Sequence, residues 1–302
     1  MTKKAHNKPF QPKVLVLMAT FNGEKFLNDQ IESILQQKDV VFHLIISDDA
    51  SSDTTKEIIQ SYCDQYKNIQ CINYERVGGP AKNFYQLIKK INVNDYDYVA
   101  LADQDDLWPE YRISRGIDQL KFHQADAYSS DVIAVDEQAQ IKKIINKSSP
   151  QKKFDYIFET PGPGCSFIFN RHFCQFLQTQ INEKILNFPY HDWLIYALAR
   201  QNKFKWIIDD APNLLYRQHE HNFMGANFGL RSRLKRLNRI LFGEYYKELI
   251  QLYSILNPNR RSLNFLKVWF FIINFTHTRR KFRHALLMIP FLLIVSIQKN
   301  EI

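Results

Sequence analysis

The chain has 302 residues, of which 45% are hydrophobic and 24% are charged, and its formal net charge is +9. This composition is typical of a globular protein and excludes the disordered, collagenous and disulfide-scaffold classes. The length suits one large α/β domain with an appendage, or two small domains. The four cysteines form no CxxC pair and no His/Cys metal spacing, which indicates reduced thiols in the cytoplasm.

The charge is unevenly distributed along the chain. Residues 231–302 contain 14 Lys and Arg against 3 Asp and Glu, a net of +11, which leaves −2 for residues 1–230. The polar, basic start (residues 1–11) is unlike a secretory signal. The longest apolar stretches, 263–275 and 285–297, have 13 residues each, whereas a membrane-spanning helix needs about 20. We therefore expect a basic tail without a spanning helix.

Strands and helices alternate in the first half of the chain. Continuous apolar runs predict strands that are covered on both faces, and apolar residues at helical spacing follow them. A sequence Thr54-x-x-Glu57 predicts a capping box, and Pro109 is expected as the first residue of a helix. Such alternation indicates an α/β fold with a mostly parallel sheet between helices. The predicted elements are strand Lys13–Ala19, helix 27–35, strand Phe42–Ser47, a helix after Thr54, strand Ile69–Tyr74, helix Ala81–Ile91 and strand Tyr98–Ala102.

Polar clusters follow three of these strands. They are Thr20-Phe21-Asn22, Asp48-Asp49 and the segment 103–106. Ligands of open α/β sheets bind beyond the carboxyl ends of the strands, so these clusters mark a candidate site. The segment 103–106 holds three carboxylates in four residues, which repel one another, and a bound Mg²⁺ or Mn²⁺ would stabilise them. The alternative is that these acids cap the helix expected at Pro109.

Three segments in this order resemble the nucleotide-sugar domain of family 2 glycosyltransferases, whose fold is called GT-A: Val16–Gly23, Ser47–Thr54 and Ala102–Pro109. The spelling of residues 103–108 and the later His191-Asp192-Trp193 are most similar to bacterial rhamnosyltransferases of polysaccharide assembly. The resemblance extends over about residues 12–225. It implies a GT-A domain over 12–228, with a nucleotide-sugar half at about 12–110 and an acceptor half at about 111–228, followed by a tail over 229–302.

The resemblance implies roles for the matching residues on the donor side. Phe21 would lie against the nucleotide base, and Asp49 would bind the base N3–H. An ionised Asp suits that donor, and a base can stack on an aromatic ring. Asp103 would lie near the ribose, and Asp105 would hold the metal that neutralises the leaving diphosphate. The nucleotide-sugar set is completed by Thr20, Asn22, Asp106, Lys82 and Asn83, the last two with a solvated helix face as the alternative.

The acceptor half contains a second group of candidates. The loop 161–166 leads into the apolar run 167–169, and in the resembled family this region lines the acceptor side. Asp192 matches the base that deprotonates the acceptor hydroxyl, with a plain helix cap as the alternative. His191 is the second choice for catalysis. His219, in the polar segment 216–222, is the candidate second ligand of the metal or diphosphate.

The tail begins with apolar residues at helical spacing over 230–241, and basic residues fill the other side of that pattern. Basic amphipathic helices favour anionic membrane surfaces. The alternative is a helical hairpin packed on the catalytic domain. A nucleic-acid partner is not expected, because no recognition motif accompanies the basic residues.

These inferences favour an inverting, metal-dependent glycosyltransferase. By resemblance, the donor is dTDP-rhamnose or another dTDP- or UDP-sugar, and the acceptor is a lipid-linked saccharide at the cytoplasmic face of the membrane. Two alternatives stay open at the level of sequence. One is a glycoside hydrolase that uses two carboxylates such as Asp105 and Asp192. The other is a non-enzymatic adaptor that binds membranes or nucleic acid through its basic tail.

Overall fold

The computed structural model describes residues 11–219, 244–258 and 265–298. The basic amphipathic helix predicted at 230–241 lies outside these residues. The described residues form a seven-stranded and a three-stranded sheet. Their strands are β1 Lys13–Thr20, β2 Val41–Asp48, β3 Ile69–Asn73, β4 Tyr98–Ala102, β5 Ala127–Ser130, β6 Val132–Val135, β7 Ile141–Ile145, β8 Ile168–Asn170, β9 Trp206–Asp209 and β10 Leu215–Arg217.

The large sheet has the strand order β3-β2-β1-β4-β8-β5-β9. Its neighbouring strands run parallel, except that β8 is antiparallel to both β4 and β5. The small sheet has the order β10-β6-β7, with β10 parallel and β7 antiparallel to β6. The mostly parallel sheet predicted from the sequence is therefore confirmed.

Helices cover both faces of the large sheet. Along β1, Val14, Val16 and Met18 belong to one hydrophobic core, and Leu15 and Leu17 belong to the other. This division explains the continuous apolar run, because a strand covered on both faces has no solvent side. The helices are α1 Leu27–Leu35, α2 Thr55–Gln65, α3 Pro80–Lys90, α4 Arg112–His123, α5 Asp155–Phe158, α6 Arg171–Gln180, α7 Glu183–Leu186, α8 His191–Gln201, α9 Glu244–Leu256, α10 Phe265–Ile273, α11 Phe282–Leu286 and α12 Met288–Gln298.

Two details of the helix starts differ from the prediction. Thr54 precedes α2 as expected, but its side chain makes no capping bond to that helix. Its hydroxyl donates instead to Glu24 Oε2 over 2.8 Å, so this threonine joins α2 to the loop after β1. Helix α4 begins at Arg112, three residues after Pro109, whose carbonyl accepts from the Arg112 N–H over 2.9 Å.

The described part of the tail packs on the acceptor half. Leu249 and Leu252 of α9, with Phe271 of α10, belong to the same hydrophobic core as α8. The rings of Tyr245 and Trp193 stack with their centroids 5.7 Å apart. No helix within the described residues combines the length and hydrophobicity needed to cross a bilayer. These contacts correspond to the packed arrangement, which the sequence analysis gave as the alternative to a membrane-bound tail.

A buried arginine fastens the tail to the acceptor half. The Arg280 side chain is 2% exposed, and its Nη1 lies 3.1 Å from Asp155 Oδ2. Asp155 is fully buried and also pairs with Arg200 of α8 over 3.0 Å. Arg280 Nη2 donates to the Thr160 carbonyl over 2.5 Å, and its backbone N–H donates to Glu159 over 2.6 Å. One tail residue thus ties α5 and the turn after it to the tail, and through Asp155 it is linked to α8.

Replacing Arg280 with alanine is expected to destabilise the protein by about 3–5 kcal/mol, because it leaves the buried Asp155 carboxylate short of one of its two arginines. The matched control is Arg283→Ala, which removes an exposed arginine three residues away and should change stability by less than about 0.5 kcal/mol. Chemical unfolding of the three proteins measures the difference. Equal unfolding midpoints for the two variants would show that the Arg280 network does not hold the tail in place.

Candidate active site

The carboxyl ends of β1, β2 and β4 meet at one edge of the large sheet. Thr20 is paired with Asp48, and Met18 is paired with Ala102. The three polar clusters predicted from the sequence are therefore brought together. The Phe21 ring is 45% exposed at this edge, as a stacking surface for a base requires.

Gln104 connects two of these clusters, and the sequence analysis missed it. Its side-chain oxygen accepts from the Phe21 N–H over 2.8 Å, and its side-chain nitrogen donates to the Phe21 carbonyl over 3.0 Å. A Cβ at Gly23 would collide with the Gln104 side chain, which explains the glycine after Asn22. The amide thus fixes the backbone that presents the Phe21 ring. An amide between two acids gives no signal of this role in the sequence.

Asp49 lies at the end of β2, with its carboxylate directed at the loop before α3. It accepts from the backbone N–H groups of Val77, Gly78 and Gly79, the last two over 2.8 and 2.7 Å. An ionised carboxylate has about four acceptor positions, so one remains after these three bonds. That position is available for a single N–H donor such as that of a pyrimidine base.

Several predicted donor-side residues are buried and hold the frame of the site. The Thr20 hydroxyl donates to Asp48 over 2.9 Å, and the Asn83 side chain donates to the Ser47 carbonyl over 2.8 Å. The solvated-face alternative for Asn83 is thus wrong, because this residue is 1% exposed. Asn22 has a positive φ of 47° and accepts from Ser52 N–H over 2.9 Å. Lys82 lies half-buried in the first turn of α3.

The three acids after β4 differ in their burial and in their partners. Asp106 is fully buried and accepts from the Arg217 N–H over 3.1 Å, so it joins the segment after β4 to β10. Asp105 Oδ2 lies 2.7 Å from His219 Nε2. Asp103 is half-buried, and burial together with the charge of Asp105 raises the pKa of its carboxyl to about 7. Asp105, in contact with His219, and the half-buried Asp103 are therefore the preferred candidate ligands.

Arg217 places His219 at the acids, and the sequence analysis did not single it out. Its side chain is 3% exposed, and its Nε donates to the Asp105 carbonyl over 3.0 Å. Its Nη2 lies 2.9 Å from Asp29 of α1. His219 lies two residues beyond the end of β10, and its ring is 5.0 Å from that of Phe26. The Arg217 guanidinium packs over the same Phe26 ring at 4.5 Å, so the two side chains share one support.

The side chains at this edge fit a divalent cation. Carboxylate oxygens are suitable ligands for Mg²⁺ or Mn²⁺, and the Asp105 carboxylate is already in contact with the imidazole of His219. The ligand atoms of Asp103, Asp106 and Cys165 also lie within 4.8 Å of one another. Burial raises the pKa of the Cys165 thiol, which therefore stays protonated and is a poor ligand for hard cations.

On the acceptor side, His191 is a packing residue at the start of α8. Its ring lies 4.4 Å from that of Phe84, and its Nε2 is buried without a hydrogen-bond partner among the described residues. A Cβ at Gly164 would collide with this nitrogen. Burial lowers the pKa of His191 to about 3, so the ring is neutral at pH 7 and has little tendency to take up a proton.

Asp192 lies beside His191 in the first turn of α8. Its Oδ1 accepts from the Trp193 N–H over 2.8 Å. Burial raises the pKa of the Asp192 carboxyl, and the Trp193 N–H, the Lys147 ammonium and the Thr160 hydroxyl partly oppose that rise. A raised pKa makes a carboxylate a stronger base, so of the two candidates Asp192 is better suited to remove a proton.

The donor and acceptor sides are joined through β8. The Leu101 N–H of β4 donates to the Phe167 carbonyl over 3.1 Å, which aligns the short helix Gly164–Ser166 with the acids after β4. Cys165 contacts Asp106, and Gly164 lies against His191. The charge of Asp192 contributes to the raised pKa of Asp103. The base candidate therefore lies near the donor-side acids.

Comparison with known proteins identifies this arrangement. The family model described as glycosyl transferase family 2 matches residues 15–186, more than half of the chain. The chain belongs to the family 2 glycosyltransferases. It is 39% identical over 244 residues to the dTDP-rhamnosyl transferase RfbG of Shigella flexneri, a match that covers 79% of this chain and 84% of the relative.

More distant relatives share the architecture. The UDP-Glc:alpha-D-GlcNAc-diphosphoundecaprenol beta-1,3-glucosyltransferase WfaP of Escherichia coli is 27% identical over 224 residues, 71% of this chain and 81% of that protein. The solved structure of TarS 1–349 of S. aureus with UDP-GlcNAc superposes with a TM-score of 0.56 at 14% identity, over 96% of this chain and 92% of that one. At that identity the likeness concerns the fold, which is the GT-A fold. This family 2 member is therefore an enzyme, which excludes the non-enzymatic adaptor, and its activity is glycosyl transfer.

Proposed function

We propose that this glycosyltransferase transfers rhamnose from dTDP-rhamnose, with inversion, to a lipid-linked saccharide during the synthesis of a bacterial surface polysaccharide. The observations that carry the proposal are the polar residues gathered at the carboxyl ends of β1, β2 and β4, and the proximity of Asp192 to Asp103, in a family 2 enzyme. The choice of donor is supported by the 39% identical relative, which is a dTDP-rhamnosyl transferase. Membership of this family favours transfer over the hydrolysis considered above.

On the donor side, the exposed Phe21 ring would stack on the thymine or uracil base. The free acceptor position of Asp49 would bind the base N3–H, and Asp103 would lie near the ribose. Asp105 and His219 would hold a divalent cation, which supplies Lewis-acid neutralisation of the diphosphate when bound. Lys82 is the candidate for a direct contact with phosphate. The buried Thr20, Asn83 and Asp106 would act by fixing these residues.

On the acceptor side, Asp192 would serve as the general base. Its carboxylate would accept the proton of the acceptor hydroxyl as that oxygen attacks the anomeric carbon from the face opposite the diphosphate. The bond to the diphosphate breaks as the new glycosidic bond forms, so the anomeric configuration inverts. Burial raises the pKa of Asp192, which makes its carboxylate a stronger base. Burial would also keep competing water away from the reacting groups.

The described part of the tail has a surface suited to a membrane. Its exposed apolar residues include Ile273, 76% exposed, and Leu287, 69% exposed. The exposed basic residues Lys281 and Arg283 lie between them in the chain. Apolar groups can enter the boundary of a leaflet while cations bind anionic head groups. We propose that the enzyme works at the cytoplasmic face of the membrane through this surface. Its other exposed apolar residues are Trp269, Phe270, Phe282, Leu286 and Leu293.

A screen of nucleotide sugars by thermal shift tests the donor. A ligand at about 100 times its dissociation constant stabilises the folded state by about 2.7 kcal/mol. For a chain of this size, each kcal/mol corresponds to about 2–4 °C. We therefore expect dTDP-rhamnose with Mn²⁺ to raise the melting temperature by several degrees, and more than without the metal.

The variant Phe21→Ala tests the base-binding surface in the same screen. It removes the proposed stacking surface, while the backbone bonds to Gln104 remain possible. Its shift with dTDP-rhamnose should be smaller, because base stacking on an aromatic ring is worth about 1–3 kcal/mol. A larger shift with a purine nucleotide sugar than with any dTDP- or UDP-sugar would overturn the proposed donor class.

A further inference from the structure

The acceptor side of the cleft contains a group of cations that the proposed chemistry does not use. The tail passes close to the end of β7, where Lys281 Nζ lies 3.5 Å from the Asn146 carbonyl oxygen. The next residue along the chain, Lys147, is held in place because its N–H donates to the buried Asp131 over 2.6 Å. The tail therefore brings its own cations beside Lys147. We call Lys147, Arg279 and Lys281 the basic subsite.

Lys147 is the central residue of the basic subsite. It is half-buried, and within residues 11–219, 244–258 and 265–298 its ammonium makes no hydrogen bond or ion pair. Burial and the neighbouring charge of Arg280 lower the pKa of Lys147 to about 8. A cation that is partly removed from water and surrounded by like charges is stabilised when an anion binds.

The nearby acids do not neutralise this group. Glu159 is engaged by Arg280, whose backbone N–H donates to it over 2.6 Å and whose Nη2 lies 3.4 Å away. Asp192 is the proposed base. Arg279 lies with its Nη2 3.3 Å from the Tyr245 hydroxyl and its Nε 3.4 Å from the Met288 sulfur, neither of which is an anion. The basic subsite consequently has an excess of positive charge beside Asp192.

The position of the subsite indicates which anion it binds. The Thr160 carbonyl accepts from Arg280. The Thr160 hydroxyl hydrogen-bonds to Asp192 and thereby lowers the pKa of its carboxyl. Lys147 also acts on the pKa of Asp192, so the subsite lies beside the proposed base. The donor diphosphate belongs with Asp105 and His219 at the end of β4. An anion at Lys147 would therefore be part of the acceptor.

We propose that the basic subsite binds the phosphate or diphosphate group that links the acceptor saccharide to its lipid, and thereby places the accepting hydroxyl at Asp192. This inference rests on the proposed function. Several cations around one half-buried ammonium suit a group with more than one negative charge, such as a diphosphate. The head group of an anionic membrane lipid offers the same phosphate chemistry, and the experiment separates the two sources.

The test compares Lys147→Met with wild type on two acceptors that carry the same saccharide, one on an alkyl diphosphate and one on a neutral alkyl glycoside. We expect KM for the diphosphate acceptor to rise about tenfold, as the loss of a charge-assisted hydrogen bond predicts. Because Lys147 also affects the pKa of Asp192, the comparison is made at a pH above the acid limb, where KM for the neutral acceptor and kcat for both should stay near wild type. Lys142→Met is the matched control, because Lys142 is an exposed lysine of β7, five residues before Lys147, and pairs with Asp136. It should change neither KM.

Two further measurements show whether the basic subsite binds the phosphate of the acceptor or that of a membrane lipid. Calorimetry with inorganic pyrophosphate and no divalent cation measures anion binding without any transfer, and wild type should bind more tightly than Lys147→Met. Sedimentation with anionic vesicles should be equal for the two proteins.

Equal changes of KM for both acceptors, or equal pyrophosphate affinity, would overturn the proposal. Weaker vesicle binding with an unchanged acceptor KM would assign the subsite to a lipid head group and overturn it as well. If wild type uses neither acceptor, the proposed function fails, and the pyrophosphate comparison still decides the subsite.

Discussion

Replacing Asp192 with asparagine is expected to reduce glycosyl transfer by a factor of about 10² to 10⁴, the usual contribution of a general base. The asparagine oxygen can still accept from the Trp193 N–H, so the first turn of α8 should remain intact. Affinity for the donor and the metal should stay near wild type, because Asp192 would contact the acceptor and not the nucleotide. Steady-state kinetics with calorimetric titration of the donor separates these effects.

The pH dependence of transfer gives a second readout for Asp192. The base works in its deprotonated form, so activity should be full above its pKa and should fall as the pH drops through it. Burial raises this pKa, and the acid limb should therefore lie above the ordinary range of a carboxyl group. The limb should disappear in Asp192→Asn.

The matched control for the base is His191→Gln. Because the buried His191 ring has a pKa of about 3, it is neutral throughout the working range, and this variant should keep the acid limb. Near wild-type transfer by Asp192→Asn would show that the base lies elsewhere, and His191 would be the first residue to examine.

Replacing Asp105 with alanine is expected to reduce transfer by a factor of about 10² to 10³, the range observed when one electrostatic stabiliser of a transition state is lost. The contact with His219 at 2.7 Å makes these two residues one unit. Asp105→Ala and His219→Ala should therefore weaken Mn²⁺ binding by similar amounts, and the double variant should add little. Electron paramagnetic resonance of Mn²⁺ measures the affinity directly, with Asp95→Ala, which removes an exposed acid, as the control.

Two results would contradict the proposed role of the metal and its ligands. Undiminished transfer by wild type and Asp105→Ala in the presence of a chelator would exclude a role for a divalent cation. Unchanged Mn²⁺ affinity in both single variants would exclude these two residues as its ligands.

The parallel core could be predicted from the sequence because its signals are local. The strands β1, β2 and β4 lie within one residue of their predicted ends, since a continuous apolar run can only be buried on both faces. The insertion of β8, antiparallel between β4 and β5, was not predicted. Its three residues follow the apolar Phe167, and no local pattern shows where so short a strand will pair.

The candidate site could be predicted by residue type but not by orientation. Among the acids after β4, Asp105 meets His219 while Asp106 is buried behind it, and nothing in four consecutive residues determines which acid faces the cleft. Gln104 and Arg217 act through bonds to residues that are distant in the chain. The packing of the tail through Arg280 likewise depends on Asp155, 125 positions earlier.

One incubation can show both whether rhamnose is transferred from dTDP-rhamnose with inversion and whether Asp192 is the base. The most direct test incubates wild type and Asp192→Asn with dTDP-rhamnose, Mn²⁺ and a saccharide on an alkyl diphosphate, and determines the anomeric configuration of the product by nuclear magnetic resonance. We predict a rhamnosylated product from wild type whose configuration is opposite to that of the donor, and almost none from the variant. Retained configuration, or release of free rhamnose without transfer, would contradict the proposed mechanism.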